Sequence, residues 1–195
     1  MRSGRMRPGR RRTGADVLRG GRRGGPASVD RMSRGTTSKA PATAATRELQ
    51  RLGVAFVPHP YESSADGAGY GLEAAQALGV PPERVFKTLL ARVGDGYAVG
   101  VVPVSRSLDL RALATALGAK HAVMADPKDA ERRTGYVVGG ISPVGQRTPS
   151  PLVLDDGALL HPTIFVSGGR RGFDVELAPA DLLSATGGRT AAIAR

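Results

Sequence analysis

The sequence predicts an α+β domain built on one mixed, largely antiparallel sheet with flanking helices. Three observations carry this. Short apolar runs bounded by Gly and Pro recur along residues 43–195, helical spacings appear between some of them, and the two kinds never settle into regular βα alternation. With 195 residues the chain fits one domain plus a tail, and is long enough to bury a substantial core.

Residues 1–42 are Arg, Gly, Ser, Thr and Pro with hardly an apolar pair, so they cannot offset their own ordering entropy and a disordered tail is expected. The tail carries nearly all of the net charge of +11. Residues 1–46 hold 11 Arg and Lys39 against Asp16 and Asp30, whereas residues 47–195 hold 16 basic and 15 acidic side chains. Two readings stay open: an arm that attracts RNA through phosphate contacts, or an extension without a role, with Met6 or Met32 as alternative starts. The paired arginines are followed by no apolar region, so neither a secretory nor a twin-arginine signal is read. No stretch reaches the apolar length of a membrane span. A cytoplasmic protein without membrane attachment is the expectation.

The chain has no cysteine, which excludes disulfides, thiolate metal sites and a Cys nucleophile. His59, His121 and His161 lie far apart with no HExxH-type spacing, so neither a metal nor a cofactor is expected.

The elements follow in order. Thr43 or Thr46 can cap a first helix whose Leu49 and Leu52 share a face, and Gly53 can end it. Val54–Val57 reads as a strand stopped by Pro58 and Pro60, Tyr61–Tyr70 as a loop, and Gly71–Leu78 as a short helix closed by Gly79. Pro81-Pro82-Glu83 leads into Val85–Leu90, the run around which the domain is organised. Strand alternation puts Val85, Lys87 and Leu89 on one face and Phe86, Thr88 and Leu90 on the other. Gly94-Asp95-Gly96 then makes a hairpin with Tyr97–Val104. Ser107 is expected to cap a helix carrying Leu108, Leu110, Leu113 and Leu117 to near Gly118. Ala122–Met124 is a brief strand, and Asp126-Pro127 has the cap and first-turn pattern of another helix. Thr134–Gly145 is a glycine-rich loop, and Leu152–Leu154, Thr163–Val166 and Phe173–Leu177 are further strands. A helix from about Pro179 to Thr186 precedes a frayed end.

Lys87, within its apolar run, is either a solvated edge lysine or an ammonium facing a pocket. The chain has 4 Lys against 24 Arg, so Arg is its default cation, and a Lys here argues for a compact, tunable ammonium. Two tempting motifs fail. Gly67-Ala68-Gly69-Tyr70-Gly71 follows a polar loop and lacks dinucleotide-binding spacing, and Gly140-Ile141-Ser142-Pro143-Val144-Gly145 places its second glycine one residue late for a nucleophile elbow.

Three separated motifs carry a family resemblance: Lys87-Thr88-Leu89, Gly139-Gly140-Ile141-Ser142-Pro143, and Val166-Ser167-Gly168-Gly169-Arg170-Arg171-Gly172. Here the sequence resembles the YbaK/EbsC family, aminoacyl-tRNA deacylases related to the editing domain of prolyl-tRNA synthetase. The likeness runs over roughly residues 45–194 and includes Leu108-Asp109-Leu110, Met124–Pro127 and Thr134-Gly135-Tyr136. It implies that family's fold for residues 43–195 and, as activity, hydrolysis of Cys-tRNA(Pro). By motif position the family's essential lysine falls on Lys87, followed by Thr88. Its pocket aromatics fall on Tyr61 and Tyr70, its pocket glycine on Gly139 beside Gly140, and its late Ser and Asp on Ser167 and Asp174. Tyr70 stands where the family usually has Phe, so an added hydroxyl can narrow or polarise the pocket.

The resemblance implies a reaction in which the substrate's own thiol attacks its ester carbonyl and releases a thiolactone. The enzyme then supplies orientation and electrostatics. Lys87 brings positive charge, the Gly139-Gly140 backbone approaches the substrate, Asp174 receives the α-ammonium, Ser167 or Thr88 hydrogen-bonds ribose or carbonyl, and Tyr61 and Tyr70 stack on adenine or wall the pocket. Aminoacyl-tRNA and, for acceptor specificity, prolyl-tRNA synthetase are the implied partners. The alternatives are a deacylase for another small aminoacyl-tRNA such as Ala-tRNA(Pro), using water as nucleophile, or a non-catalytic tRNA-binding module.

Overall fold

A computed structural model describes residues 41–63 and 69–195. Of the tail expected to be disordered over residues 1–42, residues 1–40 lie outside the described residues, as do residues 64–68 of the Tyr61–Tyr70 loop; Pro41 is held, its carbonyl accepting from the Thr43 N–H and the Thr46 hydroxyl. Among the described residues no helix is long and apolar enough to cross a membrane.

Helix α1 (Ala44–Arg51) starts at a reciprocal cap: the Thr43 hydroxyl accepts from the Thr46 N–H at 3.1 Å while Thr46 Oγ1 accepts from the Thr43 N–H at 3.0 Å. β1 (Val57–Pro60) begins where the expected strand was to end. Among the described residues it pairs only with β7 (Phe173–Leu177), at one margin of the sheet, and an edge strand tolerates the missing N–H groups of Pro58 and Pro60. α2 (Tyr70–Leu78) ends at Gly79 in the left-handed conformation. β2 (Val85–Val93) and β3 (Gly96–Pro103) form the expected hairpin, longer on the β2 side than the sequence indicated.

Helix α3 (Leu110–Ala116) is capped by Asp109, not Ser107: the carboxylate accepts from the N–H groups of Arg111 and Ala112, each at 2.9 Å. Ser107 is held extended instead, exchanging two backbone bonds with Arg195. β4 (Ala122–Met124) and α4 (Pro127–Thr134), capped by Asp126, lead to the glycine-rich loop, then β5 (Leu152–Asp155), β6 (Ile164–Arg170), β7 and α5 (Pro179–Thr186). The end of the chain is not frayed. β8 (Arg189–Ala191) runs parallel to β5, and buried Asp155 accepts from the N–H groups of Ile193 and Ala194 at 2.9 and 2.8 Å. Ile193 is wholly buried, which anchors the terminus by roughly 2 kcal/mol of apolar burial.

The sheet order is β1-β7-β6-β2-β3-β5-β8, with β4 also on β2. Antiparallel pairs (β1–β7, β6–β7, β2–β3, β2–β4) include the longest ladder, and β2–β6, β3–β5 and β5–β8 are parallel, so the sheet is mixed as predicted. Phe86 and Leu90 join Leu49 of α1, Leu182 of α5 and Phe173 in the main core. On the opposite face Val85 packs with Ala74 and Ala75 of α2, and Leu89 and Ala91 with Leu113 of α3.

Candidate active site

One feature of β2 makes the site. One of its edges pairs with β3 from Phe86 to Val93. The other is shared, with β6 taking Val85–Phe86 and β4 taking Ala91–Val93. Lys87, Thr88 and Leu89 lie in the fork, without a strand partner on that edge among the described residues. A cavity of about 470 Å³ opens there.

Seven of the eight sequence-derived candidates line it: Tyr61 after β1, Tyr70 at the start of α2, Lys87 and Thr88 on β2, Gly139 in the glycine-rich loop, Ser167 on β6 and Asp174 on β7. Gly140 does not reach the cavity wall. It packs instead on the β6–β7 turn, where a β-carbon would come within 2.8 Å of the Arg170 carbonyl carbon. Gly139 is the glycine that faces the cavity, with φ of 86° and no room for a β-carbon, which would lie 2.7 Å from the Tyr70 ring. Sequence reading missed the apolar part of the wall, namely Leu72, Val104, Met124, Val138 and Ile141. Leu72, Met124 and Val138 are also exposed, and that combination of exposed apolar side chains is visible only once the chain is folded.

The polar groups sit in a desolvated setting. The Lys87 ammonium donates to the Val104 carbonyl at 3.4 Å, and burial holds its pKa below the ordinary lysine value. Asp174 is 5% exposed and stands opposite Ser167 across the β6–β7 ladder. Burial pushes its carboxyl up to about 7, an effect that a hydrogen bond from the Tyr61 phenol partly offsets. The Tyr61 phenol is raised in turn, first by burial and then by the neighbouring carboxylates of Asp174 and Glu73. Thr88 Oγ1 is buried without a hydrogen-bond partner among the described residues. The cavity thus combines an ammonium, a carboxyl that changes charge near neutral pH, and an unused hydroxyl, all inside apolar walls. Such a setting strengthens every charge interaction with a bound ligand.

A family model for the aminoacyl-tRNA editing domain matches residues 69–185, which hold six of the seven cavity-lining candidates. The chain belongs to the aminoacyl-tRNA editing domain family. Editing-domain relatives agree with that placement. The chain is 39% identical over 153 residues to EbsC of Enterococcus faecalis, named as a Cys-tRNA(Pro)/Cys-tRNA(Cys) deacylase, covering 77% of this chain and 92% of that protein. It is 32% identical over 99 residues to the proline–tRNA ligase of Thermosipho melanesiensis, across 51% of this chain and 17% of that enzyme. A solved structure presented as a trans-editing enzyme for prolyl tRNA synthetase superposes with a TM-score of 0.70 at 27% identity, over 80% of this chain and 99% of that one.

Proposed function

We propose that this editing domain hydrolyses mischarged Cys-tRNA(Pro) in trans. The observation that carries the reading is the gathering of Lys87, Asp174 and Gly139 around one cavity at the fork of β2, in a chain whose relative EbsC is named for that deacylation. In the proposed reaction the cysteine sulfur of the substrate attacks its own ester carbonyl, and the bond from that carbon to the ribose oxygen breaks. The thiol proton ends on the departing ribose hydroxyl, and the amino acid leaves as a four-membered thiolactone, which water opens in solution. The protein supplies no nucleophile. Lys87, in a partly dry setting, stabilises negative charge as it develops on the carbonyl or ribose oxygen. Asp174 in its ionised form receives the α-ammonium, and Thr88 Oγ1 has a free acceptor and donor for the ester or ribose.

The tRNA body is read by a partner on this proposal. Residues 47–195 are close to neutral, which leaves little charge for holding the acceptor stem, so acceptor specificity comes from prolyl-tRNA synthetase.

The test offers Cys-tRNA(Pro) and Ala-tRNA(Pro) side by side to wild type and Lys87→Ala. Wild type is expected to deacylate the cysteinyl substrate at least tenfold faster, with the Lys87→Ala rate down by about 100-fold or more. Adding prolyl-tRNA synthetase is expected to raise kcat/KM for Cys-tRNA(Pro) over other cysteinyl acceptors. Equal turnover of the two substrates would remove the thiol mechanism and leave a water nucleophile. Salt-sensitive tRNA binding without ester cleavage would leave only a binding module.

A further inference from the structure

Arg171, in the turn between β6 and β7, is exposed yet held by two hydrogen bonds and a ring contact. Its Nε and Nη2 both donate to the Val138 carbonyl, at 3.0 and 2.8 Å. Its guanidinium also lies over the Tyr70 ring, 4.8 Å from the centroid. Val138 precedes the glycine that faces the cavity, and Tyr70 opens α2, so one side chain ties together the two segments that frame the cavity mouth. Gly139 is enclosed between them, since a β-carbon there would lie 2.7 Å from Tyr70 and 3.0 Å from Arg171 Nε.

We propose that Arg171 is a positioning residue for deacylation: it fixes the Val138–Gly139 backbone and the Tyr70 ring as one rigid wall of the cavity. The residue does not touch the reacting atoms. It sets where the glycine-loop backbone stands relative to the ester, and misplacing such a group by about 1 Å costs up to roughly 100-fold in rate. Only a planar guanidinium serves both contacts. A lysine ammonium makes one bond to the carbonyl, and from there it cannot also lie flat over the ring. The exposed position of Arg171 separates this from a fold-stabilising role, because a solvent-facing brace can be removed without opening the core.

The proposal rests on the deacylase reading, so its test has one arm that needs activity and one that does not. In the kinetic arm, Arg171→Ala and Arg171→Lys are both expected to lower kcat for Cys-tRNA(Pro) by about 10- to 100-fold with KM changed less than threefold. Free guanidinium at low millimolar concentration is expected to restore part of the Arg171→Ala rate. A wild-type kcat in either folded variant would overturn the proposal, as would a rise confined to KM, which would instead make Arg171 a phosphate contact. In the second arm, amide hydrogen exchange over residues 137–141 is compared in wild type and Arg171→Lys. The Gly140 N–H, bonded to the Val137 carbonyl at 2.9 Å, is expected to exchange at least tenfold faster in the variant. Unchanged exchange would overturn the brace even if deacylation were never observed. Faster exchange in Arg171→Lys, with a wild-type protein that never deacylates, would keep the brace and reject the deacylase reading.

Discussion

Asp174 carries a cost that its position explains. Asp174 is buried on β7 between its sheet neighbours β6 and β1, and only the Tyr61 phenol is a hydrogen-bond donor to its carboxyl among the contacts described. With the native pKa raised to about 7, the folded protein keeps this proton at pH values where the unfolded chain has lost it. The carboxyl therefore lowers stability progressively as pH rises from about 4 through 7, and an ionised buried group remains above that. Asp174→Asn keeps an acceptor for Tyr61 and removes the charge. Thermal or urea unfolding is expected to show little difference between the two proteins near pH 4 and a gain for the variant that grows to about 2–4 kcal/mol by pH 8. A gain of equal size at both pH values would mean that the carboxyl is not held neutral. The same substitution is expected to reduce deacylation, since a neutral amide does not pair with an α-ammonium. Which residues gather at the cavity was legible in the motifs for seven of the eight candidates, down to Asp174 and Ser167. That Asp174 is desolvated and that Thr88 lacks a partner was not, because both follow from strands far apart in sequence.

The two neighbouring glycines of the glycine-rich loop have different surroundings, one at the cavity and one against the β6–β7 turn. Gly139 has left-handed φ and meets side-chain atoms of Tyr70 and Arg171, whereas Gly140 abuts the backbone of Arg170 and Arg171, which cannot yield. Gly139→Ala is expected to cost about 1–2 kcal/mol through its φ and to depress deacylation by pushing Tyr70 away from Arg171. Gly140→Ala is expected to cost more, about 2–4 kcal/mol, by prying the loop off the β6–β7 turn. Melting curves and single-turnover deacylation on both variants check this, and the reverse order of stability loss would contradict it. Other elements show the same limit on what spacing reveals. The sequence pattern located α2, β4, α4, β7 and α5 to within a residue or so, because caps and prolines are local signals. It misplaced β1, whose prolines are tolerated only at an edge, and missed β8, whose three residues gain their order from β5 and Asp155.

At the scale of the molecule the fork in β2 decides where the cavity opens. Parallel pairing with β6 and antiparallel pairing with β4 on one edge leave a gap that no alternation pattern announces, since register between distant strands is set by the whole sheet. Charge is distributed otherwise. The cavity belongs to a domain near neutrality, while 11 Arg and Lys39 lie before residue 41. We propose that residues 1–40 add tRNA affinity without touching catalysis. A cut that tests this must spare Pro41, whose carbonyl accepts from the Thr43 N–H at 2.9 Å and the Thr46 hydroxyl at 2.7 Å. The chain beginning at Pro41 is expected to keep its melting temperature and its saturated deacylation rate. Its tRNA affinity between 50 and 200 mM salt is expected to change by less than about tenfold, against about a thousandfold or more for the full chain if six or more of the arginines displace counterions. Equal salt slopes before and after the cut would move the phosphate contacts onto the domain itself, where Arg170 and Arg171 beside the cavity mouth would become the first residues to substitute.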